Sequence, residues 1–252
     1  MENFTRQLEF SQLHPEAVYN IEKRRRKAKK IFLVLNEYFK EKSENLSVLN
    51  LGCSAGIISD YLRQKFGKVT GIDTDHRAID YAVNNFKYSN LEFYARDALN
   101  TGFPDNYFDI IICNHIYEHA SNPRQLIAEI KRVLKSDGVC YFAAENRLNI
   151  MEAHYRLPFL SIIPKPCAHL YLRLCGKGKL YSENLSTYWR LKKLVDISNF
   201  KLIDYTFKII DQPLRYSAEE IIIPGSFKQK ILREVIKSAY WLCPTYIWLL
   251  KK

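Results

Sequence analysis

Two short stretches hold the residues best suited to chemistry. The first is VLNLGCSAGIISDYL, residues 48–62, where an apolar run turns through small residues into a helical pattern. Gly52 and Gly56 let the backbone turn sharply and approach a ligand with no Cβ in the way. A helix beginning near Ile57 aims its free N–H groups at any anionic group lodged there. Asp73 ends the next apolar run, about 20 residues on, where an acid can bind both hydroxyls of a ribose. A dinucleotide loop, G-x-G-x-x-G counted from Gly52, would need glycine at Ser54 and Ile57. The spacing G-C-S-A-G therefore does not fit a dinucleotide loop. The second stretch is HIYEH, residues 115–119. Its His115, Glu118 and His119 share a face if the segment is helical, and His119 is a candidate general base. His154, farther along, is a second candidate base.

These residues need elements to position them. Pro15 at a first turn and apolar residues at helical spacing predict a helix over 15–41, with KRRRKAKK (23–30) on its other face. Strands are expected at 48–51, 68–72, 91–94, 108–113 and 139–144, alternating with helices at 57–66, 77–85 and from Asn122-Pro123 to about Asp137-Gly138. This βαβα rhythm implies a doubly wound, mostly parallel sheet whose ligands sit beyond the carboxyl ends of the strands. After residue 146 the rhythm stops. Residues 146–181 hold three prolines and many aromatics without a clean period. Beyond them we expect a helix (183–199), a strand (201–210), a helix (227–240) and a last strand (245–250). The reading is one domain: a basic helical segment (1–45), a cofactor-binding core (46–145), a lid insertion (146–181) and a C-terminal helix–strand–helix–strand (182–252).

The ordered motifs of residues 46–145 resemble those of the class I S-adenosylmethionine-dependent methyltransferases of the small-molecule type. VLNLGCSAG looks like their first motif, VTGIDTD like their ribose-binding motif and YARDALN like their adenine-contact segment. The resemblance implies a Rossmann-like three-layer α/β sandwich with a seven-stranded, mostly parallel sheet and an antiparallel C-terminal strand. It implies S-adenosyl-L-methionine as cofactor. The loop Gly52, Cys53, Ser54 and Gly56 would meet its methionine end, and Asp73, followed by Thr74, its ribose. Asp97 would take the adenine amino group, Ala98 would flank the ring, and Asn114 would lie near the amino acid moiety. Asn50 stands where the family carries an acid, so a hydrogen bond survives there while a negative charge is lost. Some quinone-pathway relatives bind metal through E-x-x-E-H at the place of HIYEH. His115 replaces the first Glu here, and no metal is expected. The (Asn/Asp)-Pro-Pro-aromatic signature of amino-group methylases is absent from Asn114-His115-Ile116-Tyr117, which favours transfer to oxygen or carbon.

Composition narrows the partners. The 252-residue chain is 47% apolar and 26% charged, an ordinary globular balance, and its formal net charge is +11. Such a field attracts phosphates, anionic lipid or nucleic acid. Its six cysteines (53, 113, 140, 167, 175 and 243) form no CxxC pair and read as reduced thiols of a cytoplasmic protein. The start lacks a leader pattern, and the apolar tail from Ile231 is broken by Arg233, Glu234, Lys237 and Pro244, a poor membrane span. In the insertion, Tyr155, Leu157, Phe159, Leu160, Ile162 and Ile163 lie among Arg156, Lys165 and Arg173, which fits a small, amphipathic or lipid-like acceptor bearing an acidic group. The basic helix and Trp/Leu-rich tail suggest peripheral docking to an anionic membrane. The alternatives are an RNA acceptor held by the same helix, though no RNA-binding module is recognisable, and a cofactor-binding protein without catalysis.

Overall fold

The computed structural model of the protein describes residues 10–252 other than 14, 41 and 153. The leader reading at residues 1–9 lies outside the described residues. Seven strands form one sheet: β1 (Ser47–Leu51), β2 (Lys68–Asp73), β3 (Leu91–Ala95), β4 (Phe108–Asn114), β5 (Leu134–Glu145), β6 (Lys201–Asp204) and β7 (Thr245–Lys251). Their spatial order is β3-β2-β1-β4-β5-β7-β6. The first five run parallel, and β7 is antiparallel to both β5 and β6. The sheet is buried on both sides, so its central strands are apolar without alternation. Leu49, Ile111, Cys140 and Phe142 face one core, and Val48, Ile110, Ile112 and Tyr141 face the other.

The helices divide between these two cores. One side carries α1 (Ile21–Phe39), α2 (Ile57–Arg63), α3 (His76–Asn85) and the short α7 (Thr206–Asp211). The other carries α4 (Pro123–Val133), α6 (Tyr188–Ile197) and α8 (Phe227–Ala239). The result is a three-layer α/β sandwich. Apolar spacing selects the buried stripe of each helix: Ala28, Ile31, Val34 and Leu35 in α1, and Leu126, Ile127, Ile130 and Val133 in α4. The insertion contributes α5 (Lys165–Leu174) and a small core of its own, built from Leu157, Leu160, Ala168, Leu172 and Tyr181.

Several expected boundaries move. The helix expected over 15–41 is two helices, Pro15–Tyr19 and α1, because Asn20 is extended and its side chain caps Lys23 N at 2.9 Å. Helix α4 stops at Val133, where Leu134 turns extended and pairs with Phe108, so β5 starts five residues before Val139. The strand expected over 201–210 ends at Asp204, whose carboxylate accepts from Thr206 N at 2.7 Å and starts α7. The helix expected from residue 183 starts only at Tyr188. Residues before it are drawn across the sheet: Asn184 N donates to Glu118 O, and Ser186 N to the Tyr117 hydroxyl, both at 3.0 Å. Of the cysteines, 53, 113, 140 and 243 are buried thiols, and 167 and 175 are exposed.

A buried carboxylate ties the loop after β3 to α4. Glu129 Oε1 accepts from Thr101 N (2.8 Å) and Oγ1 (2.7 Å), and Arg132 donates to both Glu129 oxygens. Burial favours the neutral acid, but Arg132 and the Thr101 donors outweigh it and hold the carboxyl at about 2. A carboxyl lowered on folding stabilises the protein above its unfolded pKa. That stability should disappear as pH falls from about 4.5 toward about 2. Urea titrations across that range should show Glu129→Gln to be about 1–2 kcal/mol less stable at pH 7, the ion pair being partly screened by solvent. The variant should also lose less stability than the parent on acidification.

Candidate active site

Parallel pairing brings the carboxyl ends of β1, β2, β4 and β5 to one edge of the sheet. The loop after β1 makes a series of left-handed turns, with Gly52 at φ 61°, Ser54 at 54° and Gly56 at 76°. The two glycines serve different contacts. A Cβ on Gly52 would collide with Ile116 Cδ1, so this loop packs directly against the segment that carries His115 and His119. A Cβ on Gly56 would fall 2.7 Å from Phe93 and 2.8 Å from Ala82, so that glycine is required for packing under the loop. Cys53 also points inward: its thiol is buried, burial pushes its pKa up, and it packs beside Gly71.

Asp73 ends β2 and organises the loop. Its Oδ2 accepts from Ser54 N at 2.8 Å and its Oδ1 from Asp75 N at 2.9 Å. Burial holds its carboxyl above the usual range despite these donors. Each oxygen retains a lone pair, which is what two ribose hydroxyls require. Thr74 follows it, half-buried. Asp97 is exposed beyond β3, with Oδ1 accepting from Leu99 N at 2.8 Å, and Ala98 beside it is half-buried. Asn114 ends β4 half-buried, against Ala143 of β5. Asn50 is buried in β1, where its Nδ2 donates to Ser59 Oγ of α2 at 3.0 Å. Its amide therefore already has a partner under the loop. Small residues, a turning backbone and an acid with free lone pairs make this cradle a fit for a cofactor with one ribose.

The basic helix is only partly a solvent face. Arg25 pairs with Asp60, and Arg26 with Glu22 and Glu220. Arg24 instead turns into the cleft within electrostatic reach of Asp73, and burial lowers its pKa. Lys27, one turn on, sits within electrostatic reach of Glu118 and Glu145. Burial, with repulsion from Arg24 and Lys30, brings its pKa down to about 8. The charges at 24 and 27 thus overhang the cleft, a placement their run in sequence does not reveal.

Beside the cofactor loop the two candidate bases come together. The imidazoles of His119 and His154, 35 residues apart in sequence, meet edge to face with centroids 5.5 Å apart. Each faces a buried glutamate: His119 Nδ1 lies 3.1 Å from Glu183 Oε2, and His154 Nδ1 lies 3.0 Å from Glu152 Oε1. Glu118, Glu145, Glu152 and Glu183 are all buried around them. Burial disfavours both imidazolium ions, but the glutamates prevail. His119 is raised above its usual value and His154 is pushed up to about 9. Burial likewise raises Glu145, whereas at Glu183 the two histidines overcome burial and hold the carboxyl low.

The expected common face of His115, Glu118 and His119 does not form. His115 (φ 58°) pairs with Glu118 at 3.2 Å, while His119 turns to Glu183 and His154. Glu152 and Glu183 escape sequence reading because no local pattern links them to HIYEH. Glu183 reaches the site only because Tyr117 anchors the chain beside it. The Tyr117 hydroxyl donates to Glu145 O at 2.7 Å and accepts from Ser186 N at 3.0 Å.

Residues 49–142 match the methyltransferase domain family. The match spans a little over a third of the chain, the part that holds the glycine loop and Asp73. Over these residues the chain carries a methyltransferase domain of the S-adenosylmethionine-dependent kind. It is 32% identical over 140 residues to the ubiquinone biosynthesis O-methyltransferase of Actinobacillus pleuropneumoniae serotype 7, covering 49% of this chain and 60% of that protein. It is 25% identical over 167 residues to the protein of the same name from Rickettsia akari, covering 64% and 65%. The chain thus spans less than two thirds of the length of these relatives. The likeness in fold extends beyond these residues. The plantazolicin methyltransferase BpumL, solved in complex with a monoazolic desmethylPZN analog and SAH, aligns at TM-score 0.62 and 19% identity, covering 99% of this chain and 95% of that one. An S-adenosylmethionine-dependent methyltransferase from Mesorhizobium loti aligns at TM-score 0.57 and 11% identity, covering 84% and 93%.

Two expected outcomes test this geometry. Asp73→Ala should weaken binding of the demethylated cofactor by at least about tenfold in calorimetry, the worth of roughly one charge-assisted hydrogen bond. Tyr117→Phe should cost about 1–3 kcal/mol in urea unfolding, because it leaves Glu145 O and Ser186 N unpaired in a buried place.

Proposed function

We propose that this methyltransferase domain transfers a methyl group to an oxygen of a small, amphipathic acceptor. The observation that carries this reading is the meeting of His119 and His154, each backed by its own glutamate, beside the cofactor loop. An oxygen nucleophile must lose a proton, and a paired imidazole is suited to take it. S-adenosylmethionine, when bound, supplies a methyl group already activated on a sulfonium.

The residues of the chain then have separate tasks. Gly52, Ser54 and Asp73 hold the cofactor, with Asn50 and Cys53 supporting the loop from beneath; Thr74, Asp97, Ala98 and Asn114 complete the cofactor wall. Glu183 orients His119, which receives the acceptor's proton. His154, kept as a cation at neutral pH by Glu152 and its neighbours, donates a hydrogen bond to the acceptor oxygen. Arg24 and Lys27 offer positive charge over the cleft, which suits an acceptor with an acidic group.

The insertion supports an amphipathic acceptor. Phe159, Leu170 and Leu174 are exposed, Leu174 at 78%, next to Lys165 and Arg173. We therefore place any contact with an anionic membrane on the insertion and not on the α1 charges, half of which are paired or turned inward. Among the described residues no helix is long and apolar enough to cross a membrane.

With radiolabelled S-adenosylmethionine, label should pass to the lipid fraction of a cell extract and not to total RNA. Transfer to RNA would establish the RNA alternative, and no transfer to either fraction would favour a non-catalytic role. His119→Ala should lower single-turnover transfer by about 100-fold, within the usual range for a general base. Its affinity for the demethylated cofactor should stay within about twofold, since the His119 ring turns to Glu183 and His154.

A further inference from the structure

The cluster that holds the two imidazoles has a second chemical capacity. His119, His154 and Glu183 each offer one ligand atom, and these atoms lie within 4.8 Å of one another. Ligands at about 2.0–2.2 Å from one tetrahedral ion stand about 3.3–3.6 Å apart, so the widest pair must close by up to about 1.5 Å, a side-chain-scale movement, for all three to share a centre. The surrounding residues are also those such a centre uses. His154 Nδ1 is held by Glu152 Oε1 at 3.0 Å, which leaves Nε2 oriented and available. A carboxylate on the distal ring nitrogen is the usual support of a metal-bound histidine. Glu152 is itself fixed, since Oε2 accepts from Tyr155 N at 2.6 Å. Four buried glutamates give the pocket a negative field, and in its walls Glu118 Oε2 and Tyr181 Oη are buried without a hydrogen bond.

We propose that His119, His154 and Glu183 bind a first-row divalent transition cation such as Zn(II) or Mn(II). Two imidazoles and one carboxylate favour these ions over Mg(II) and Ca(II), which prefer all-oxygen shells. The ligands come from three places: the loop after β4, the insertion, and the strand-like segment before α6. An ion there would pin the insertion to the sheet. A nitrogen that holds the ion cannot also accept a proton, so occupancy and base function exclude each other at His119. This consequence rests on the proposed proton-accepting role of His119; binding itself does not.

The test is calorimetry on the full chain, stripped with chelator and saturated with demethylated cofactor, titrated separately with zinc, manganese and magnesium chloride. We expect one zinc or manganese ion per chain and no comparable magnesium binding. His154→Ala and Glu183→Gln should each weaken binding by at least about 100-fold, and Glu152→Gln by about tenfold through its hold on His154. Unchanged affinity for the demethylated cofactor shows that each variant is folded. No stoichiometric binding of either ion, or binding that survives both His154→Ala and Glu183→Gln, overturns the site. The radiolabel assay is independent of this result: an ion bound by a chain that transfers no methyl group counts against the proposed reaction and not against the site.

Discussion

Much of this cleft depends on one hydroxyl group. Tyr117 is fully buried, and its hydroxyl joins the end of β5, through Glu145 O, to the segment before α6, through Ser186 N. Glu118 beside it reaches both segments as well: Glu145 N donates to its carboxylate, and its carbonyl accepts from Asn184 N. The chain after the insertion is therefore laid across the sheet as an extended segment. This placement turns Glu183 toward His119, and it begins α6 five residues later than the helical pattern of the sequence implies.

The charges in the cleft are arranged by the same constraint. Burying four carboxylates is costly unless each has a partner. His115 and Glu145 N serve Glu118, Asn149 serves Glu145, His154 and Tyr155 N serve Glu152, and His119 serves Glu183. His119 and His154 respond by holding their protons more tightly. Lys27 leans over the same negative field while being crowded by Arg24 and Lys30. Carboxylates, imidazoles and a lysine thus gather beside the glycine loop.

The insertion is more than a cover. Its own small core around Leu160 and Leu172 lets it fold as a unit against the sheet. Met151 pairs with Pro158, which presents Glu152 and His154 to the cleft from one side. On the other side, Leu170 and Leu174 remain exposed among basic residues. One segment therefore supplies both the Glu152–His154 pair and exposed apolar surface.

The sequence by itself determined the parallel sheet, the order of its elements and the glycine loop with its downstream acid. These are local: a strand, a turning loop and a helix carry their apolar periods and glycines within a few residues of one another, and Asp73 follows at a fixed strand length. Element ends were less legible where a side chain outside the period intervened, as Asn20 does before α1 and Asp204 before α7. Tertiary structure alone decided the cluster of histidines and glutamates. His119, His154, Glu152 and Glu183 come from three separate segments, and no spacing relates them. They meet because buried hydrogen bonds of Tyr117 and Glu118 fix where the chain returns. The direction of Arg24 and Lys27 was likewise set by packing, since a run of basic residues is the same in sequence whether it faces water or a cleft.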